Sequence, residues 1–168
     1  MKHLLIICFL FWAGSAHGEE KNNQFKVAGK TFETPVTWKS EKPSSKMRKA
    51  QYKNGKAEIV VFYFGAGSGG SVEANVNRWI GQFKEPKEEL STKVEKTEVK
   101  KSKITTVSAK GTYMSGSPFG QKVPMPNYAM RGAIIECEGG PIFIKMTGPM
   151  NEVLSFAKDF DKTVRSGL

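Results

Sequence analysis

Histidine and cysteine are nearly missing from this chain: His3, His17, Cys8 and Cys137 are all there is of either. Three of those four fall in the first eighteen residues, which read as a removable leader. The remaining domain of about 150 residues, enough for one core, then holds no histidine and a single thiol. That excludes Ser-His-Asp and Cys-His nucleophile systems, zinc sites of the usual types and any intramolecular disulfide. Aspartate is almost as scarce, with only Asp159 and Asp161 near the C-terminus. Arginine is limited to Arg48, Arg78, Arg131 and Arg165, so lysine carries most of the positive charge behind the net +10. Sequence-reading nucleic-acid proteins depend on arginine forks and interleaved aromatics. Lysines spread from Lys21 to Lys162 describe a solvated basic surface instead. No nucleic-acid partner is expected; the sharper use of the charge is attraction to anionic envelope polymers or lipid headgroups.

The leader rests on Lys2, an apolar run from Leu4 to Trp12, and small residues from Ala13 to Gly18 that allow cleavage after Ala16 or Gly18. The run is too short to span a bilayer. Cys8 follows Ile7 rather than a small residue, which argues against lipidation there. Residues 1–18 are therefore expected to be a signal peptide, 19–24 a disordered lead-in, and 25–168 a single domain. That domain is expected to be periplasmic or secreted, with no transmembrane segment once the leader is removed.

The chain is organised around Ala57 to Phe83. The run AEIVVFYF is apolar on both faces from Ile59, as a covered central strand is. After the small residues GAGSGGS, Val72, Val76, Trp79/Ile80 and Phe83 mark one face of a helix. That helix is predicted over Ser71–Phe83, with Pro86 as its stop. Upstream, Phe25, Val27, Phe32, Val36 and Trp38 mark short extended pieces. Asn54-Gly55 predicts a type I′ turn that pairs Lys53 with Lys56, Ala50 with Ile59 and Arg48 with Val61.

Further on, Lys87 to Lys103 reads as a charged stretch with an edge strand around Val94–Val99, and Ile104–Tyr113 as another strand. Met114–Asn127 reads as a fourteen-residue loop with three prolines. Its Phe119, Val123 and Met125 either tuck beneath it or form a contact tip. A second hairpin around Gly139-Gly140 is predicted to set Cys137 opposite Ile142 and Ile135 opposite Ile144, burying Cys137 as an inert thiol. Gly148-Pro149 opens a closing helix over Pro149–Arg165, with Val153, Phe156/Ala157, Phe160 and Val164 on one face.

Gly65-Ala66-Gly67-Ser68-Gly69-Gly70 matches G-x-G-x-x-G between a strand and a helix. The strand belongs to a hairpin and no second parallel strand follows, so dinucleotide binding is not expected. Two readings remain. The glycines let helix and sheet pack closely, or their N–H groups at a helix N-terminus hold a phosphate, sulfate or carboxylate. Asn75, Arg78 and Gln82 add a polar helix face by their spacing. The candidate binding residues are Gly67, Gly69, Gly70, Ser71, Asn75, Arg78 and Gln82. Should the domain instead be a small enzyme using Glu/Lys acid–base groups, Glu136, Glu138, Lys145 and Arg131 are the first suspects. No catalytic residue, metal ligand or cofactor is assigned.

Several motifs carry a resemblance: the strand with its glycine loop, Asn77-Arg78-Trp79, Gln82-Phe83 and Gly111-Thr112-Tyr113. Gly132-Ala133-Ile134-Ile135 through Gly139-Gly140-Pro141, Lys145, Gly148-Pro149 and the final helix extend it over nearly the whole domain. In these the chain resembles a group of uncharacterised exported bacterial proteins. The order of elements is also similar to PsbP-like domains, with an antiparallel sheet, a helix after a central hairpin and a closing helix. That resemblance implies an accessory or assembly role rather than an enzyme, and brings no metal-binding motif with it. The expected fold is α+β: a single antiparallel sheet with helices packed on it, as a PsbP-like α/β sandwich. The expected function is a non-catalytic exported accessory or binding domain of the bacterial envelope, its partner an envelope protein or an anionic ligand.

Overall fold

The computed structural model describes residues 23–116 and 120–168. The expected signal peptide, the first part of the lead-in and Phe119 lie outside the described residues. Two short strands come first, β1 (Asn23–Val27) and β2 (Lys30–Thr34). Asn23 and Gln24, expected in the lead-in, are therefore paired strand residues. Ala28 and Gly29 turn the chain between them at positive φ, as a hairpin turn matched to strand twist requires.

Seven further strands build the main sheet: β3 (Lys39–Ser40), β4 (Arg48–Asn54), β5 (Ala57–Tyr63), β6 (Ser91–Val99), β7 (Ser102–Ser115), β8 (Val123–Ile135) and β9 (Ile142–Pro149). Their order is β3-β4-β5-β9-β8-β7-β6, antiparallel throughout. Helix α1 (Val72–Ile80) lies between β5 and β6 in the chain; α2 (Met150–Ser155) and α3 (Ala157–Ser166) close it. The expected single sheet is thus corrected to two, because β1 and β2 pair only with each other. Phe25 and Phe32 stack at 5.1 Å and bury themselves in the main core by packing, not by extending the sheet's edge.

Alternation along the strands sorts the side chains into two cores. On one face Ile59, Val61, Ala133, Ile135, Ile144 and Met146 meet Val153, Phe160 and Val164 of the closing helices. On the other, Val107, Ala109, Met130, Ile134 and Phe143 meet Val76, Trp79, Ile80 and Phe83. The Trp79 ring rests on the backbone of Gly132, where a β-carbon would overlap it. Strand β6 is exposed on both faces along nearly its whole length, as its lysine–glutamate composition leads one to expect of an edge.

Both hairpins are displaced by two residues from their expected registers. Strands β4 and β5 pair Tyr52 with Ile59 and Ala50 with Val61. They turn on Gly55 and Lys56, with Gly55 at φ +60, the first central position that a II′ turn reserves for glycine. The displacement has a visible cause: Glu152 Oε2 accepts from Lys56 N at 2.8 Å and Ala57 N at 2.9 Å. Strands β8 and β9 pair Ile135 with Ile142, so 136–141 is a loop rather than strand. A shift of two leaves the side chains on their expected faces, except at Arg48, which a bulge before Ala50 sets opposite Phe62 rather than Val61.

Cys137, in that loop, is half-buried against the main core. Burial pushes its thiol pKa up, and Lys30 pulls it the other way.

Both ends of the expected Met114–Asn127 loop are strand, 114–115 in β7 and 123–127 in β8. Ser115 pairs with Val123 and Tyr113 with Met125, leaving 116–122 as the connection. Pro124 and Pro126 are tolerated because β8 is paired with β9 only from Tyr128 onward, so one of its edges is open there. Helix α1 ends well before Pro86, where the N–H of Gly81 closes on Asn77 O. The closing helix breaks at Phe156, whose ring meets Trp38 edge-on at 5.1 Å.

Glu152→Ala removes the acceptor from the β4–β5 turn and should cost about 1.5–3 kcal/mol, as for other hydrogen bonds to a charged group. Urea unfolding measures this; an unchanged midpoint would show that the turn holds itself.

Candidate functional site

In the glycine loop, Gly65, Gly67, Gly69 and Gly70 all take positive φ, between +70 and +91. Glycine is required here by backbone conformation. Asn75 Nδ2 donates to Gly69 O at 2.7 Å and to Ser71 O at 2.8 Å, and its Oδ1 accepts from Arg78. Ser71 Oγ caps α1 by accepting from Ala74 N at 3.1 Å. Asn75 is buried and its amide is committed to tying the loop to the helix. Of the predicted residues, Gly67, Gly70 and Ser71 are exposed, while Gly69 lies against Phe143 and Phe64. Gln82 bonds to a charge on the sheet, and Arg78, exposed and bonded to Asn75, acts on that charge without bonding to it.

That charge is Lys145. It sits on β9, opposite Val60 of β5 and Gly132 of β8, on the face that α1 covers. Its Nζ donates to Gln82 Oε1 at 3.0 Å and to Tyr113 Oη at 3.3 Å, 5.7 Å from the centre of the Tyr113 ring. Gln82 lies beyond the helix cap, so the expected helical face of three residues is corrected. Its position is set by backbone bonds to β7: Met114 N to Gln82 O at 2.8 Å and Lys84 N to Thr112 O at 2.9 Å. Tyr113 follows an irregularity in β7 after Gly111, a device that re-aims side chains. Both Glu85 carboxylate oxygens accept from Thr112 N at 2.9 Å, and bonds to Thr112 lower the Glu85 pKa.

Over β4 and β5 the same face carries a polar network. Arg48 pairs with Glu58 at 3.2 Å, and Gln51 Nε2 donates to Glu58 at 2.9 Å and to Glu41 at 3.2 Å. Arg48, Glu58, Arg78 and Lys122 all act on the Lys145 charge. Among the described residues no carboxylate forms an ion pair with Lys145, Arg78 or Lys122. Desolvation first, and then Arg48, lowers the Lys145 pKa to about 8. Burial, followed by Glu58, raises that of Tyr113. An ammonium that sheds its proton near pH 8 therefore lies beside a phenol that stays protonated there.

No family model matches the chain, nor does any curated protein. Among solved structures, the solution structure of cyanobacterial PsbP (CyanoP) from Synechocystis is similar over 93% of this chain and 96% of that one, with a TM-score of 0.58 at 10% identity. The fold is PsbP-like. A Pseudomonas aeruginosa protein of unknown function overlaps 88% of this chain and 96% of its own at TM-score 0.43 and 10% identity. At such identity the PsbP-like fold accounts for the arrangement of elements and says nothing of the site.

Within the PsbP-like sandwich the four suspects for acid–base chemistry do not meet. Arg131 is on the opposite face from Lys145, bound through two nitrogens to Asp161 of α3 at 2.9 and 2.8 Å. Glu136 and Glu138, expected on one strand face, are exposed in the 136–141 loop. They line a groove of about 410 Å³ with Lys30 and Lys101. A larger groove of about 500 Å³ between β2 and α3, lined by Glu33, Thr34, Asp159 and Lys162 among others, also lies away from Lys145. Among the described residues, only around Lys145 do several charges converge on a group of shifted ionisation, so that is the candidate site. Among the described residues no cluster of three or more metal-ligating side chains occurs, and no helix is long and apolar enough to cross a membrane.

The shift fixes a pH dependence. Below pH 8 Lys145 is protonated in both folded and unfolded chains, and folding bears the full cost of its burial. Between about 8 and the ordinary lysine value of 10.5 the folded chain sheds the proton first, so this group's contribution to stability rises with pH. The span corresponds to on the order of 3 kcal/mol. Lys145→Met should therefore raise stability near neutral pH by about 1–3 kcal/mol and abolish that rise. Thermal melts from neutral to alkaline pH test both effects; a destabilised variant with an unchanged pH profile would refute them.

Proposed function

We propose that this protein is a non-catalytic exported accessory or binding domain of the bacterial envelope. Its working face is where α1, the glycine loop and the β7–β8 hairpin meet the sheet. The observation that carries this reading is the gathering of Lys145, Arg78 and Lys122 on one face with no carboxylate paired to them among the described residues. Such a surface suits an anionic ligand or an acidic patch on an envelope protein. The leader-like sequence of residues 1–18 supports export, and the resemblance to PsbP-like domains supports an accessory role. Neither a cofactor nor a nucleic-acid partner is part of this reading.

A second reading is favoured by the Lys145 pKa of about 8 beside the Tyr113 hydroxyl. Such an amine can take up or release a proton near neutral pH, as acid–base catalysis by a small enzyme requires.

The purified protein and its Arg78→Ala/Lys145→Met variant, immobilised and exposed to envelope extract at low and about 1 M salt, where screening acts within about 3 Å, test the proposal. A protein retained at high salt by the parent and released by the variant is the expected result. Salt-labile capture of polymer alone would replace it with simple electrostatic attachment; capture of nothing would overturn it.

A further inference from the structure

We propose that the Lys145 cluster is a binding site for a carboxylate joined to an apolar group. This rests on the binding reading of the same face and names the ligand class. The ammonium has two hydrogen-bond partners, Gln82 Oε1 and Tyr113 Oη, and both are neutral. Glu58, the carboxylate that acts on Lys145, is itself engaged by Arg48 and Gln51. Arg78 spends one nitrogen on Asn75 and leaves the rest of its fork for an anion. Arg78 and Lys122 are exposed and act on the Lys145 charge from its surface side, so a carboxylate reaching the Lys145 ammonium gains their attraction and supplies the charged partner that the burial of Lys145 calls for.

The neighbouring surface selects what the carboxylate is attached to. Phe143 lies two residues from Lys145 on the same strand face, and Phe62 pairs with it across β5. Phe64 stacks on Phe62 at 6.4 Å, approaches Phe143 at 5.9 Å and remains 40% exposed. An apolar strip therefore leads from the ammonium to the surface. At the other side Glu58 repels additional negative charge, which disfavours a polyanion. The charged groups that act on Lys145 are Arg48 from β4, Glu58 from β5, Arg78 from α1 and Lys122 from the connection before β8, and the titratable Tyr113 of β7 bonds to it. Since Lys145 loses its proton near pH 8, binding should weaken as pH rises through that value.

The test is an NMR titration of the isotope-labelled protein with phenylacetate, acetate and inorganic phosphate at constant ionic strength. Phenylacetate should perturb the side chains of Lys145, Gln82, Tyr113 and Phe64 and bind about tenfold or more tighter than acetate, the equivalent of about 1.4 kcal/mol. Phosphate should bind no better than acetate. Lys145→Met should lose the interaction while keeping its dispersed spectrum, and Lys145→Arg should restore part of it. Binding unaffected by Lys145→Met, shifts confined to surface lysines, or phosphate rivalling phenylacetate would each overturn the ligand assignment. Envelope capture by the parent protein is read separately. A captured partner with no carboxylate binding would remove this site and leave the accessory role standing, whereas carboxylate binding with no captured partner would do the reverse.

Discussion

A positive charge on the middle strand of a sheet covered on both faces needs partners, and Lys145 is that charge. Three strands lie on either side of β9, so the side chain emerges in the middle of the sheet and is largely covered. A lysine so placed either loses its proton more readily or is surrounded by acceptors; here both happen. Its acceptors come from two separate pieces of chain. Gln82 arrives from the segment after α1, and Tyr113 from β7 beyond its irregularity. Several other features become intelligible as means to that end. Gly132 lets α1 lie low on the sheet, and the bonds from Glu85 and Met114 hold the Gln82 segment against β7.

The two faces of the sheet thus do different things. The face toward α2 and α3 is packed with Ile59, Ile135, Ile144, Met146 and Phe160, and its charged contacts tie elements together, as Arg131 does with Asp161 and Glu152 with the β4–β5 turn. The face toward α1 has a smaller apolar core and, beside it, the polar network of Arg48, Gln51 and Glu58. Stability is concentrated on the first. On the second the protein tolerates a group that costs it stability, which is where function is to be sought.

Much of the fold was legible because burial follows period. The faces of β4, β5, β8 and β9 and of the helices were readable from alternation and 3.6-residue spacing. Registers were not, because the β4–β5 turn is fixed by Glu152, 95 residues away from Ala57 in the chain. The separate β1–β2 sheet was hidden too, since Phe25 and Phe32 alternate just as they would on an edge strand. Of the candidate site, Arg78 and Gln82 were found from spacing, although Gln82 proved to be off the helix. Asn75 has the composition of a ligand but is consumed by Gly69 and Ser71. Tyr113 was visible only as part of a resemblance, and Lys145 there and as one of four acid–base suspects that do not meet, because nothing local reveals that a bulge in one strand and the centre of another face the same point. Of the residues that carried that resemblance, Trp79, Phe83, Tyr113, Gly132 and Lys145 lie on this face, whereas Ala133 and Ile135 face the other core.

The central claim is that Lys145 is a desolvated amine held by neutral partners. It is tested most directly by following the Lys145 side-chain Cε and Hε resonances of the unliganded protein as a function of pH. The account predicts a titration midpoint near 8, with Tyr113 still protonated at that point. A midpoint at the ordinary lysine value of 10.5 would mean that the ammonium is solvated, and would contradict both the site and the function proposed for it.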